Sequence, residues 1–172
     1  EGYLIEGSST NLLPYSEFDG GYPLNSGSSQ WENLLETRSG IVFNKFTKGS
    51  VQFRDTQSSS KTGTFSTFVY DDGVNESQTI RLEVRGDGVN SVNVNMNFLT
   101  KELTVTGDYT GTGRFKELGG GVYRLEATVI NATVDNGTTL RTAIYGSADW
   151  YGGFQLEALP FATSYTPTTV AP

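Results

Sequence analysis

Apolar and polar residues alternate with a period of two through most of the chain, from about residue 40 onwards. Residues 79–85 alternate without a break, and residues 91–98 repeat the pattern with Asn93, Asn95 and Asn97 at polar positions. Successive side chains of a β-strand point to opposite faces, so this period predicts strands with one buried face and one solvated face. Such strands are typical of antiparallel sheets, and we therefore expect an all-β chain.

Turn-forming residues separate the alternating segments at regular intervals. The sequences DDG at 71–73 and GDG at 86–88 each close an alternating run. Turn signals every eight to twelve residues or so predict an antiparallel β-sandwich, here with about eight to ten strands. The residues expected to face inward are Phe65, Val69, Ile80, Leu82, Val84, Val92, Val94, Leu125 and Val129.

Aromatic residues within the alternating segments are expected to belong mostly to the core. Phe68, Tyr123 and Phe154 are assigned to it on this ground. Phe68 and Tyr70 stand in the opposite register to Phe65, so we expect their strand to be covered on both faces. A final strand is predicted over residues 153–157, after a glycine-flanked loop that carries Trp150 and Tyr151.

One segment has a different spacing. Over residues 29–38 the apolar residues Trp31, Leu34 and Leu35 recur at helical intervals, which predicts one short helix. Residues 8–30 are expected to form an ordered coil or edge segment. The 172 residues suit one domain, and we assign residues 1–161 to the β-sandwich module and 162–172 to an extended C-terminal linker.

The composition excludes several classes of function. The chain has no cysteine and no histidine, which rules out disulfides, thiol nucleophiles, Cys/His zinc sites and catalytic triads that use an imidazole. Its net charge of −7 repels a phosphate backbone, so no nucleic-acid partner is expected. No apolar run approaches the length that a bilayer requires and no signal-peptide pattern begins the chain, so we expect no membrane insertion.

The two ends of the chain carry its most specific motifs. Residues 4–18 read LIEGSSTNLLPYSEF, and residues 152–169 read GGFQLEALPFATSYTPTT. Together with GVYR at 121–124, these segments resemble a family of β-sandwich modules from bacteriophage tail fibres and tail spikes. That family in turn is similar to the jelly-roll carbohydrate-binding modules. The chain departs from the pattern at Val122, where tryptophan is usual, and at Leu159, where glycine is usual.

The resemblance implies a jelly-roll sandwich located in a virion tail. It implies a non-catalytic adhesion or receptor-binding module that contacts host-surface polysaccharide. Its other expected partners are further tail subunits or copies of itself, with a homotrimer as one arrangement. The alternative is a structural spacer or trimerisation module that binds no glycan.

Sugar rings stack their C–H faces on exposed aromatic rings, and their hydroxyl groups need polar partners. The residues that fit this chemistry are Trp150 and Tyr151 in the predicted loop, Trp31, and Tyr70 with Asp71 beside it. Core packing is the alternative reading for each aromatic residue. The row of Asn93, Asn95 and Asn97 is more readily explained as a plain solvated strand face.

A structural Ca²⁺ ion is also considered, because related jelly rolls hold one where their first and last strands meet. Glu17, Asp19 and Glu157 are the matching acidic positions, and carboxylate oxygens suit Ca²⁺. Solvated surface acids are the alternative.

Catalysis is not expected. Glycosidases of this shape need two carboxylates placed across a cleft, and one of their strand patterns is Glu-x-Asp-x-x-Glu. Glu17 and Asp19 begin such a pattern, but Tyr22 occupies the third acidic position.

The two terminal motifs are expected to lie side by side. Residues 3–5 and 154–156 are both apolar and extended, and Pro160 and Pro167 should end strand pairing beyond Glu157 because proline cannot donate to a ladder. The exit segment would then run along the surface with Phe161 and Tyr165 as anchors. Deletion of residues 152–172 is therefore expected to unfold the domain.

Overall fold

The computed structural model describes residues 10–13, 30–48, 50–52, 56–57, 60–107, 111–133, 139–145 and 150–167. Within these residues it contains strands and no helix. The strands are β1 Gln30–Arg38, β2 Ile41–Lys48, β3 Ser50–Gln52, β4 Thr56–Gln57, β5 Gly63–Tyr70, β6 Ser77–Arg85, β7 Val89–Asn97, β8 Glu102–Thr106, β9 Gly111–Gly119, β10 Val122–Val129, β11 Thr139–Tyr145 and β12 Trp150–Glu157.

These strands form two antiparallel sheets. Sheet A has the order β1-β2-β12-β5-β10-β9, and sheet B has the order β3-β11-β6-β7-β8 with β4 also paired to β11. The prediction of an all-β chain with two antiparallel sheets is confirmed. The twelve strands of the described residues exceed the predicted number, because short strands such as β4 and the exposed strand β9 lack a clear alternation of apolar residues.

The helix predicted over residues 29–38 is wrong, because residues 30–38 form β1 and pair with β2. The pairing passes from Glu32 opposite Lys45 to Leu35 opposite Asn44, so extra residues are inserted into β1 at this step. Such a bulge breaks the strict alternation of a strand and produces apolar spacings of three and four residues. The helical spacing of the sequence is therefore the spacing of an irregular strand.

The core lies between the two sheets. All nine residues predicted to face inward are fully buried, and Phe68, Tyr123 and Phe154 are buried as well. β5 is buried along nearly its whole length on both sides, as its two registers of aromatic residues predict. A second cluster covers the outer face of sheet A: Phe43, Phe68 and Val122, with Ile41, Tyr70, Trp150 and Tyr165 packed against them.

The asparagine of the N-terminal motif ties both motifs together. The Asn11 side chain donates to the carbonyl oxygens of Phe154 and Thr166, at 3.0 and 3.1 Å, and accepts from the backbone N–H of Leu156 at 3.1 Å. The backbone N–H of Leu12 donates to the carbonyl oxygen of Leu156 at 2.8 Å. We call this set of contacts the Asn11 clasp.

The C-terminal motif folds back over its own strand through three polar side chains. Gln155 donates to Thr163 Oγ1 and to the Ser164 carbonyl, and accepts from the Thr166 N–H at 2.8 Å. Glu157 accepts from both the N–H and the hydroxyl of Thr163, at 3.0 and 2.6 Å. Gln155 and Glu157 are thereby buried without losing hydrogen bonds, which burial of polar groups requires.

The expectation that residues 3–5 and 154–156 lie side by side stays a prediction, because residues 3–5 lie outside the described part of the chain. Asn11 and Leu12, farther along the N-terminal motif, do contact β12. β12 ends at Glu157, as predicted. Tyr165 packs edge-on against Phe68 with 5.5 Å between ring centroids, so it anchors the exit segment. The prediction for Phe161 is wrong: its side chain is 51% exposed.

Candidate functional site

Three aromatic residues gather on the outer face of sheet A. Trp150 of β12 lies between Lys45 of β2 and Tyr70 of β5 in the strand register. Phe43, two residues before Lys45, shares this face, and its ring centroid is 6.2 Å from that of Tyr70. We call Phe43, Tyr70 and Trp150 the aromatic patch; Phe43 is fully buried, and only the half-buried Tyr70 and Trp150 have ring surface exposed.

Sheet A curls around this patch. The Arg38 guanidinium carbon lies 3.9 Å from the centre of the Tyr70 ring. Arg38 belongs to β1 and Tyr70 to β5, and β2 and β12 lie between them. In a flat sheet three strand spacings would separate β1 from β5 by about 14 Å. Arg38 is also offset from Tyr70 along the strands, because Arg38 pairs with Ile41 whereas Tyr70 is aligned with Trp150 and Lys45. The contact therefore requires the outer face of sheet A to be concave here.

The indole of Trp150 forms a hydrogen bond through its N–H, and a lysine lies over the face of its ring. Its Nε1 donates to Asp72 Oδ2 at 3.3 Å, and Lys45 Nζ lies 5.6 Å from the ring centroid. The predicted loop at Trp150 is wrong, since the residue begins β12. The ring is half-buried, so part of it remains at the surface in a fixed orientation.

The acidic turn after β5 holds itself in shape. Asp71 Oδ1 accepts from the Gly73 N–H at 2.9 Å, and Asp72 Oδ1 accepts from the Val74 N–H at 3.0 Å. These are side-chain contacts of the kind that stabilise tight turns. Asp71 is therefore mainly a turn residue, and Asp72 is the acid that reaches Trp150.

Tyr151 belongs to the core instead of the surface. It also lies in β12, its side chain is 1% exposed, and its hydroxyl donates to Gln78 Oε1 across the sandwich. The sequence suggested a loop because Gly152 and Gly153 follow. In the structure these glycines belong to an irregular step in β12, where a Cβ on Gly152 would lie 2.3 Å from the Val42 carbonyl oxygen. Tyr151 has no exposed ring face to offer a ligand.

Trp31 lies in β1, and its side chain is outside the described part of the structure. Asn93, Asn95 and Asn97 are half-buried on the outer face of sheet B. Asn95 donates to Thr79 at 2.8 Å, and Asn97 accepts from the backbone after β7. These contacts fit the plain strand face that the sequence favoured.

Of the three predicted Ca²⁺ ligands, one lies among the described residues. Glu157 is 1% exposed and both of its oxygens accept from Thr163. Glu17 and Asp19 lie outside the described residues, and the described residues contain no group of three acids placed for a metal ion. The Ca²⁺ site stays a prediction.

One carboxyl group of this outer face has an altered acidity. Burial raises the pKa of Glu126 above its ordinary value, and the nearby Arg124 opposes the shift. Arg124 Nε lies 4.0 Å from the Glu126 carboxylate, while its guanidinium also donates to Ser66 Oγ at 2.9 Å. Glu126, on β10, is therefore partly shielded from water and lies close to the positive charge of Arg124.

Arg38, Phe43 and Lys45 were not predicted from the sequence as members of the site. Arg38 was placed in the predicted helix, and Phe43 and Lys45 belong to a strand that its own pattern does not single out. Their approach to Tyr70 and Trp150 depends on the pairing of β2 with β12 and on the curl of sheet A. Only the strand order of the sheet would have revealed them.

The aromatic patch can bind a ring with an apolar face. Trp150 offers a fixed aromatic surface, while Arg38, Lys45 and Asp72 supply donors and acceptors at its border. The described residues include no helix long and apolar enough to cross a membrane. No known family profile matches this chain, and no curated protein matches it as a relative.

Proposed function

We propose that this chain is a non-catalytic, glycan-binding adhesion module with a jelly-roll arrangement, from the tail fibre or tail spike of a bacteriophage. The observation that carries the glycan-binding part is the position of Trp150 and Tyr70 in a concave face bordered by Arg38, Lys45 and Asp72. An apolar ring face with polar groups around it is the chemistry that a hexose requires. The virion tail as location rests on the resemblance of the two terminal motifs.

A non-catalytic role is supported by the residue types present. The sequence has no histidine or cysteine, and the paired-acid pattern that begins at Glu17 fails at Tyr22. The purified domain should therefore leave the chain length of a host capsular or lipopolysaccharide glycan unchanged. Shortening of that glycan would contradict this part of the proposal.

The test compares Trp150→Ala with a control that also removes an aromatic ring. Phe161 is 51% exposed and lies outside the aromatic patch, so Phe161→Ala is the matched control. Both variants and the wild type are applied to a glycan array and to host cells. Trp150→Ala should weaken binding at least ~10-fold, equivalent to about 1.4 kcal/mol, while Phe161→Ala binds normally.

Folding of each variant is checked by far-UV circular dichroism and by its melting temperature. A folded Trp150→Ala protein that binds glycans as well as the wild type would overturn the aromatic patch as the binding site.

One observation favours a structural spacer as the second candidate. Asn11, Gln155, Glu157 and Thr163, which belong to the most specific motifs of the chain, make hydrogen bonds that fasten its two terminal segments. A wild-type domain that binds no glycan and no host cell, but forms trimers in analytical ultracentrifugation, would favour this candidate over adhesion.

A further inference from the structure

Three arginines surround one glutamate on the outer face of sheet B. Arg81, Glu83 and Arg85 alternate along β6, and Arg141 of β11 is the strand partner of Glu83. We call these four residues the arginine cluster. It lies on the other sheet from the aromatic patch and plays no part in the function proposed above.

Glu83 is fully engaged by its neighbours. Its Oε1 lies 2.8 Å from Arg81 Nη2, and its Oε2 lies 3.5 Å from Arg85 Nε. The Glu83 side chain is only 9% exposed, whereas those of Arg81 and Arg85 are 27% and 35% exposed. Glu83 therefore orients the guanidinium groups while their remaining donors reach the surface. A guanidinium has five N–H donors, more than one carboxylate can satisfy.

Arg81 also has an unsatisfied donor. Its Nε is buried and has no hydrogen-bond partner in the described part of the chain. Unpaired buried donors are uncommon in folded proteins, so the protein around Arg81 does not fully satisfy its guanidinium.

The charge of the cluster is opposite in sign to that of the chain. Its three arginines and one glutamate leave two positive charges, whereas the whole chain has a net charge of −7. Ser91 and Asn93, the strand partners of Glu83 and Arg81 on β7, are neutral hydrogen-bonding residues. An anionic ligand would therefore find attraction here on a molecule that otherwise repels it.

A shallow and largely open pocket adjoins the cluster at the end of β6. It has a volume of about 320 Å³ and is lined by Arg85, Gly86, Asp87, Gly88, Val89 and Thr139. Arg85 belongs to both the pocket and the cluster. The Asp87 carboxylate can accept hydrogen bonds, and the Thr139 hydroxyl can donate one, in the same pocket. This chemistry suits a ring that carries hydroxyl groups.

We propose that the arginine cluster and its pocket bind a carboxylate-bearing polysaccharide, with a uronate carboxylate on the arginines and the sugar hydroxyls at Asp87 and Thr139. Planar guanidinium groups match a carboxylate with paired hydrogen bonds. The inference shares a glycan ligand with the proposed function, but it does not depend on Trp150.

The probe is a short oligogalacturonate, titrated by isothermal calorimetry at low salt. The test variant combines Arg81→Gln with Arg141→Gln. The control combines Arg114→Gln with Lys116→Gln, which removes the same charge from exposed positions of β9 in sheet A. The test variant should raise the Kd at least ~10-fold, and the control should change it by less than ~2-fold.

The same titration with a carboxyl-reduced oligosaccharide should show little binding, and added salt should weaken binding of the oligogalacturonate. Equal losses in the two double variants would overturn the proposal, because binding would then follow net charge instead of the cluster. Absence of wild-type binding to the oligogalacturonate, or equal binding of the reduced form, would overturn it too.

A second measurement applies if the double variant fails to fold. In the wild-type protein, amide resonances of β6, β11 and residues 86–88 should shift on addition of the oligogalacturonate, and those of β2 should not. Shifts confined to β2 and β12 would place the ligand at the aromatic patch and contradict the arginine cluster. Trp150→Ala should keep its oligogalacturonate affinity, so failure of the aromatic-patch proposal and failure of this one can be told apart.

Discussion

At the scale of single residues, Asn11 carries an unusual share of the long-range hydrogen bonding. Its buried amide makes four hydrogen bonds to backbone groups, including those of Leu13, Phe154, Leu156 and Thr166. A side chain that satisfies this many buried backbone groups cannot be removed without leaving several of them unpaired.

We expect Asn11→Ala to lower the free energy of unfolding by about 2–4 kcal/mol, because each unpaired buried group is costly. Urea denaturation, followed by tryptophan fluorescence, measures the change. Asn93→Ala, a substitution of a half-buried asparagine on a strand face, serves as the control and should cost about 1 kcal/mol or less. A loss below about 0.5 kcal/mol for Asn11→Ala would contradict the clasp.

Glu126 gives a prediction about pH. Burial raises the pKa of its carboxyl, so the folded state keeps a proton that the unfolded state has already lost. The contribution of Glu126 to stability is therefore present below its ordinary pKa of 4.5 and is lost as the pH rises through its folded pKa. Glu126→Gln removes this loss, so it should raise the melting temperature at neutral pH relative to the wild type.

The measurement is the melting temperature against pH for the wild type, Glu126→Gln and the exposed control Glu102→Gln. A lower melting temperature of Glu126→Gln at neutral pH would mean that attraction to Arg124 outweighs burial, which is the opposite of the expected order.

Prediction from the sequence was right for the core residues and incomplete for the candidate site, where it named Trp150 and Tyr70 but not the residues around them. Phe65, Ile80 and Val94 were found by alternation alone, because burial follows strand period when both neighbours are regular strands. Tyr151 was misplaced because two glycines after it resemble a loop, and Arg38 was missed because its contact with Tyr70 crosses the two strands β2 and β12. A local sequence pattern contains no information about the curl of sheet A, which brings Arg38 to Tyr70.

At the scale of elements, β12 is an inner strand of sheet A and is covered by the exit segment that follows it. β12 lies between β2 and β5 in sheet A, so deletion of residues 152–172 would remove most of an inner strand. The exit segment after Glu157 covers Gln155, Glu157 and Phe68 by hydrogen bonds and by the Tyr165 ring. Residues 163–166 of the segment thus pack against β5 and β12.

Deletion of residues 160–172 therefore tests the exit segment by itself. It keeps β12 but leaves Gln155 and Glu157 without partners, and it exposes Phe68. We expect the melting temperature to fall by about 10 °C or more, corresponding to several kcal/mol in a domain of this size. Differential scanning calorimetry measures it, with Phe161→Ala as a control that should melt near the wild-type temperature. An unchanged melting temperature of the deletion protein would make residues 160–172 a mere linker.

β1 shows why the type of one element was predicted incorrectly. The bulge between Glu32 and Leu35 gives its apolar residues helical spacing, and the strand forms because β2 offers it a partner. Pairing across a hairpin overrides weak local preference, which a reading of the isolated segment cannot include.

At the scale of the whole molecule, the described residues of the terminal motifs hold the sandwich together and do not form the candidate site. Their residues Asn11, Gln155, Glu157 and Thr163 are buried and serve the closure of the sandwich. The residues of the aromatic patch come from β2, β5 and β12, and all three lie outside the terminal motifs, since Trp150 precedes residue 152. The parts of the sequence with the most specific pattern are therefore the structural ones, and the candidate site lies in the less specific strands.

The Asn11 clasp also has a kinetic consequence. Its hydrogen bond to Thr166 joins residues 155 positions apart, so the clasp closes a loop that spans nearly the whole chain. Contacts of such large sequence separation carry the full cost of loop closure and tend to form after the rate-limiting step of folding. If so, a loss of 2 kcal/mol in Asn11→Ala would appear as a roughly 30-fold faster unfolding rate with little change in the folding rate. The clasp would then determine how long the native state lasts, and not how quickly it is reached.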